Sequence, residues 1–353
     1  MNTRTVADVV NRLPKPFVDR LVQPSYTPSE EQREAVALAV ESMKYHMTDE
    51  GWQIMLGLES AGYTLCGRRC TVDEVDVPRL LGQILPGIVV VQDKREWDVQ
   101  PRDFRDTSAR FTNVQELKSR PDVFKLTILK DSHQRPTYHR ESADEIGCHA
   151  WIVYYHPTIV SHLAPYVRPE HLIRTYHTLD PAIVPAYSAE RPLGCLISGA
   201  VSSAYPLRSL LVRKRQTLPR VDYVPHPGYH RDGCATPQYL QTLSRYKVAI
   251  CTSSMYGYAL RKIIEATACG CVVLTDLPTD EVLPEIDGNL VRISMEHLTY
   301  LPDILNRLYR EYDPDRQRQF AEAARWFYDY RRMGSLLAND IETLRLNYNK
   351  ESV

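Results

Sequence analysis

The chain has 353 residues, with 43 Lys and Arg against 44 Asp and Glu and a formal net charge of −1. That length exceeds the roughly 250–300 residues at which one hydrophobic core stops growing, so two domains are expected. A charge this close to zero argues against wholesale electrostatic binding to nucleic acid or membrane, and no apolar run reaches the roughly 20 residues of a membrane-spanning helix.

In chain order, residues 1–20 scatter charges and contain no apolar core, unlike a secretory leader. PSEEQREAVALAVESM, residues 28–43, reads as a helix capped by Ser29, with Glu30 and Glu31 at its positive end. WQIMLGLESA, residues 52–61, has helical apolar spacing and stops at Gly62, a favoured helix terminator. Strand cores follow at Ile88–Val91, Leu126–Leu129 and Trp151–Tyr155. They are near-continuous apolar runs between helical segments, the pattern of a parallel sheet covered on both faces. Ligands of such sheets sit beyond the carboxyl ends of the strands. Gln92, Asp93 and Lys94, then Asp131, Ser132 and His133, then His156, occupy those places.

A second series runs through strands at Leu193–Ile197, Tyr223–Val224, Val248–Cys251 and Val272–Leu274, with a helix over Arg261–Ala268. Residues 301–347 read as two or three amphipathic helices. The expected fold is α/β with two Rossmann-like domains, residues 1–185 and 186–315, followed by C-terminal helices over 316–353. Eight cysteines without zinc-site spacing suit a reduced, cytoplasmic chain (host cytoplasm, were it viral).

The most informative stretch is KVAICTSSMYGYALRKIIEATACGCVVLTD, residues 247–276. A strand leads through a loop into a helix whose N-terminal N–H groups suit a phosphate. Arg261 and Lys262 in its first turn add charge for a diphosphate. Glu265, one turn on, suits vicinal ribose hydroxyls. A diphosphate joined to a ribose describes a nucleotide sugar.

This pattern, R-x-x-x-E-A-x-A-C-G-x-V-V-x-T-D, resembles the donor-binding domain of GT-B glycosyltransferases. It looks most like the CgeB/YkvP branch related to glycosyltransferase family 4. LISGAVSSAYPLR (196–208), VPHPGY (224–229) and RTYHTLDP (174–181) fit the same plan. The resemblance spans roughly residues 170–295 and is weak before that. It implies a GT-B fold with two domains facing across a cleft. It also implies a UDP- or GDP-sugar donor as co-substrate, an acceptor hydroxyl, and chemistry needing neither metal nor further cofactor. The implied donor-side residues are Arg208, Arg261, Lys262, Glu265, Tyr258, Gly199 and His226. Asp131, His133 and Asp93 are the candidates for the acceptor-side base. One departure stands out: family 4 places a first glutamate where this chain has Gly257.

Blander readings accompany these. Arg261 and Glu265 suit an i,i+4 pair on a solvated helix edge, Asp131 a turn cap, and Asp93 a surface ion pair. His156 suits a structural hydrogen bond, and His177 lies at the expected domain junction. Asp313-Pro314-Asp315 resembles a metal-binding D-x-D, but its place before a polar helix reads as an N-cap. The basic run Val212–Arg215 with Arg220 is a solvated face or a contact for an anionic acceptor. The alternatives to transfer onto an ordinary hydroxyl are a non-catalytic nucleotide-sugar-binding protein and an enzyme acting on modified DNA bases.

Overall fold

A computed structural model of the chain describes residues 35–39, 50–66, 74–81, 84, 86–93, 110–130, 136–158, 160, 164, 167–226 and 236–351. In order, the N-terminal half contains β1 (Ala35–Leu38), α1 (Glu50–Ser60), β2 (Thr64–Cys66), β3 (Glu74–Asp76), α2 (Val77–Leu81), β4 (Ile88–Val91), β5 (Arg110–Thr112), β6 (Phe124–Leu129), α3 (Pro136–Ile146), β7 (Ala150–Val153) and β8 (Leu172–Arg174). All strands but β3 and β5 form one parallel sheet in the order β2-β1-β4-β6-β7-β8, while β3 and β5 pair apart. The second half contains β9 (Leu193–Gly199), α4 (Pro206–Lys214), β10 (Val221–Pro225), α5 (Thr236–Leu243), β11 (Tyr246–Ile250), α6 (Arg261–Ala268), β12 (Val272–Thr275) and β13 (Leu290–Arg292). Its parallel sheet runs β10-β9-β11-β12-β13. Three helices close the chain: α7 (Leu301–Arg310), α8 (Pro314–Phe327) and α9 (Tyr330–Glu351).

Both sheets are covered on both faces, which explains their unbroken apolar strands. On β1 and β4, Ala35, Ala37, Ile88 and Val90 point into the core beneath α1 and α9. Val36, Leu38, Val89 and Val91 point into the opposite core with Leu117 and Ile146. In the second sheet Leu196, Ala249 and Val273 line one core. Cys195, Ile197, Val248, Ile250 and Leu274 line the other. Cys269 and Cys271 are fully buried and free, as small apolar fillers are.

One expected helix is a strand. Ala35–Leu38, inside the span read as helical, is β1, paired in parallel with β2 and β4. A short run of small apolar residues is equally compatible with a buried helix or a doubly covered strand. The strand wins because it lies between two neighbours that need its N–H and C=O groups. The helix expected over 52–61 is present as α1 and ends at Gly62, whose φ is 99°.

The C-terminal helices serve both halves. α7 packs on β11, α8 on α6, and α9 crosses back onto α1 and β8. At that crossing Gly57 and Gly334 bring two backbones together: a Cβ on Gly334 would lie 2.5 Å from Gly57 Cα. Asp313 caps α8, its carboxylate accepting from the Asp315 and Arg316 N–H groups at 3.0 and 3.1 Å. The D-x-D of the sequence is thus a helix cap.

Candidate functional site

The carboxyl ends of β9, β10, β11 and β12 converge on a polar floor. β9 ends in Ser198 and Gly199, β10 leads to His226, β11 to Thr252 and Ser253, and β12 to Asp276. Two helices feed cations into this floor. Arg208, on α4, is 2% exposed. Its guanidinium donates to Ala200 O at 3.2 Å and lies 4.1 Å from the Tyr205 ring centre. Lys262, on the first turn of α6, donates through Nζ to Ser198 Oγ at 3.3 Å, and Ser198 meets the Tyr239 hydroxyl at 2.8 Å.

Gly199 is the residue that lets both cations in. Its φ is 107°, and a Cβ there would overlap Lys262 Nζ and lie 3.0 Å from an Arg208 Nη1. Any other residue would be strained and would fill the space between the charges. Tyr223 donates its hydroxyl to Gly199 O at 2.9 Å, holding the turn.

The electrostatics of this floor are unusual. Among the described residues neither Arg208 nor Lys262 has a carboxylate within ion-pair distance. Burial, then the neighbouring Arg208 charge, pushes the Lys262 ammonium down to about 8. His226 is lowered by burial and then by Lys262 and Arg208. Burial raises Asp276, whose carboxylate is occupied by the Ser253 N–H at 2.6 Å. Adjacent cations, one buried and one half-buried, without counter-ions cost free energy unless an anion completes them. The floor is therefore chemically suited to a polyanion.

Arg261 is built differently from its neighbour. It is 5% exposed, with Nε 3.3 Å from Glu265 Oε1 and an Nη donating to Gln53 Oε1 of α1 at 3.2 Å. The i,i+4 pair foreseen for Arg261 and Glu265 exists, but it is sealed at the junction of the two halves rather than solvated. Tyr258 is 1% exposed and stacks on Tyr155, ring centres 3.6 Å apart. With Tyr256 and Leu260 it belongs to the core of the N-terminal half. That places Tyr258 in the junction. His177 joins it, bonding the Ala259 carbonyl through Nε2 at 2.9 Å and stacking on Tyr154. Burial and then Arg261 lower His177 to about 3.

On the N-terminal side Asp93 is fully buried. Its carboxylate accepts from the Lys130 N–H at 2.9 Å and lies 3.9 Å from His139 Nδ1. It ties the end of β4 to the end of β6 and is buried rather than at the surface. Asp131 and His133 lie outside the described residues. His156 accepts from the Thr158 N–H at 3.3 Å, the structural bond expected of it. No group of three or more His, Cys, Asp or Glu among the described residues is arranged to hold a metal. No described helix is long and apolar enough to cross a membrane.

Ser198, Tyr239 and Gln53 were not foreseen. Ser198 and Tyr239 orient Lys262, and no local pattern marks them. Gln53 had a faint signal: it is the polar residue in the otherwise apolar run WQIML.

Two doubly covered parallel sheets, opposed and strapped by a C-terminal helix, make the fold GT-B. No protein-family model matches the chain, and no curated protein matches it in sequence. Solved structures do. AviGT4, a glycosyltransferase involved in avilamycin A biosynthesis, superposes with a TM-score of 0.50 at 13% identity, covering 88% of this chain and 97% of that one. Anabaena Alr3699/HepE, solved with UDP-glucose, gives a TM-score of 0.48 at 11% identity, covering 88% and 99%.

Proposed function

We infer that the chain is a glycosyltransferase that takes a sugar from a nucleoside diphosphate, UDP or GDP, and passes it to an acceptor hydroxyl. The observation that carries this is the Arg208–Lys262 pair over Gly199, one cation buried and the other half-buried, without a carboxylate at ion-pair distance. Breaking the bond between sugar and diphosphate leaves negative charge on the phosphate oxygens. Fixed cations in a dry site stabilise that charge most where it develops, in the transition state. Here they take the role that a divalent ion would otherwise fill. Glu265 receives the ribose hydroxyls. The acceptor meets the N-terminal half, where Asp131 or His133, directly after β6 in sequence, takes the proton from the attacking hydroxyl. Asp93 accepts from the Lys130 N–H, directly before those two residues in sequence. The CgeB/YkvP-like pattern around Arg261–Asp276 supports the same reading, with its first glutamate replaced by Gly257.

Calorimetric titration with UDP and GDP tests the donor site. Arg208→Ala and Lys262→Ala should each weaken the better ligand at least tenfold, about 1.4 kcal/mol, and EDTA should leave binding unchanged. Unaltered affinity in both variants overturns the assignment.

A further inference from the structure

Ser198 lies near the end of β9 and is 5% exposed. Among the described residues its hydroxyl oxygen has two hydrogen-bond partners: Lys262 Nζ at 3.3 Å and the Tyr239 hydroxyl at 2.8 Å. The Tyr239 hydroxyl has no other partner among those residues. Counting donors and acceptors then shows which way each hydrogen points. An ammonium only donates, so Lys262 fills one lone pair of Ser198 Oγ. Burial raises the Tyr239 phenol well above its ordinary value, and it keeps its proton at neutral pH. Donated to Ser198 Oγ, that proton fills the second lone pair. A hydroxyl oxygen carries two lone pairs and one hydrogen. The Ser198 hydrogen therefore points away from both neighbours, and no acceptor among the described residues meets it. We propose that Ser198 is a ligand-binding residue of the donor site, donating its hydroxyl to a phosphate oxygen of the nucleoside diphosphate beside Lys262. This rests on the donor reading given above.

Reversing the bond between the two hydroxyls does not remove the deficit. If Ser198 donated to Tyr239, the phenol hydrogen would be the one left over, at a buried oxygen that a ligand does not reach. An unmatched buried donor costs free energy. Either arrangement is thus one acceptor short, and the shortfall can be met from outside only at Ser198. Its neighbour Gly199 has no side chain, and a Cβ there would meet both Lys262 and Arg208. Ser198 and the two cations therefore border the same turn.

The geometry also says what kind of acceptor fits. Set at the tetrahedral angle, an oxygen about 2.7 Å from Ser198 Oγ stands about 5 Å from a Lys262 Nζ that is itself 3.3 Å from Oγ. It is a different oxygen from the one the ammonium holds. A ligand with several phosphate oxygens supplies both, and a single-atom anion does not. The cations attract charge from any direction, whereas a hydroxyl needs its acceptor along one line. Ser198 thus fixes the register of the diphosphate on the cations.

The test uses the full chain, inorganic pyrophosphate, and whichever of UDP and GDP the wild type binds more tightly. By calorimetry Ser198→Ala should weaken both probes about tenfold, the loss expected when a charged acceptor gives up one hydrogen bond. If Ser198→Ala unfolds the protein, Ser198→Cys keeps the shape with a much weaker donor and is read by the same criterion. A crystal structure of the wild type with the nucleotide should place a phosphate oxygen about 2.7 Å from Ser198 Oγ. Unaltered affinity for both probes overturns the proposal, as does a complex in which Ser198 Oγ has no phosphate oxygen within hydrogen-bond reach. Either result leaves the donor reading standing if Arg208→Ala still weakens the nucleotide. A wild-type chain that binds neither nucleotide nor pyrophosphate overturns the donor reading itself.

Discussion

Raising the pH from 7 to 9.5 should weaken nucleotide binding about 30-fold, and Lys262 is the reason. Burial and Arg208 hold its ammonium at about 8 against an ordinary 10.5. Above pH 8 the empty site loses its proton, while a diphosphate beside Nζ favours the charged form and restores the pKa toward its usual value. Affinity then falls up to tenfold per pH unit between those limits, which gives the factor of about 30 at pH 9.5. The ligand's own phosphates, whose last proton leaves near pH 6, do not titrate there. Calorimetry at pH 8 in Tris and in HEPES should show uptake of about half a proton on binding, as a buffer-dependent enthalpy. The same shift opposes folding: the unfolded chain binds the extra proton between about 8 and 10.5, so stability from this residue rises with pH across that window and its cost is complete below it. Discounted for partial exposure, Lys262→Met should stabilise the empty protein by about 1–2 kcal/mol at pH 7 while abolishing binding. A flat affinity from pH 7 to 9.5, or a Lys262→Met variant that binds nucleotide normally, would refute the reasoning.

His177 should make the fold acid-sensitive. Buried neutral with a value of about 3 against 6.5 unfolded, it costs stability as pH falls below 6.5, roughly 2 kcal/mol by pH 5. His177→Gln should flatten that part of a urea-denaturation profile. Gly334→Ala drives a Cβ against the Gly57 backbone, which no rotamer relieves. It should cost about 2–3 kcal/mol despite the roughly 1 kcal/mol gain in helix propensity, read by urea denaturation. Arg174 pairs with the nearly inaccessible Glu281. Arg174→Met should destabilise by about 3 kcal/mol, and adding Glu281→Leu should recover most of it. Additive losses in the double variant would show that the two side chains do not interact.

The chain has 22 tyrosines against 6 phenylalanines, and the structure shows what several of the hydroxyls do. Several phenols donate to backbone carbonyls in loops or at element ends: Tyr187 to Pro314, Tyr309 to Pro219, Tyr312 to Gly270, Tyr328 to Pro284 and Tyr223 to Gly199. Three of those acceptors are prolines, whose neighbourhoods offer the chain few donors of its own. A phenol fills a core with its ring and satisfies a loop with its hydroxyl. Phenylalanine could do only the first.

Most strands were legible because their covering helices demand apolar residues on both faces, a requirement written locally in IVVV (88–91) and VVL (272–274). α6 was legible to the residue, and so was the cap at Asp313, since a helix start depends on the few residues around it. Lys262 and Gly199 also belong to patterns that a short window contains, and the structure brings them together with Arg208. The sequence could not decide between helix and strand at Ala35–Leu38, because the pairing that settles it comes from β2 and β4. Nor could it tell Arg261 from Lys262. The two are adjacent on α6, yet a turn of about 100° per residue sends one to the cations and the other to the junction. Its partner there, Gln53, lies 208 residues away in sequence. The return of α9 to α1 and the sealing of Tyr258 against Tyr155 have the same origin. Local chemistry chose the elements, and contacts between residues far apart in the chain chose which side chains line the polar floor and which hold the halves together.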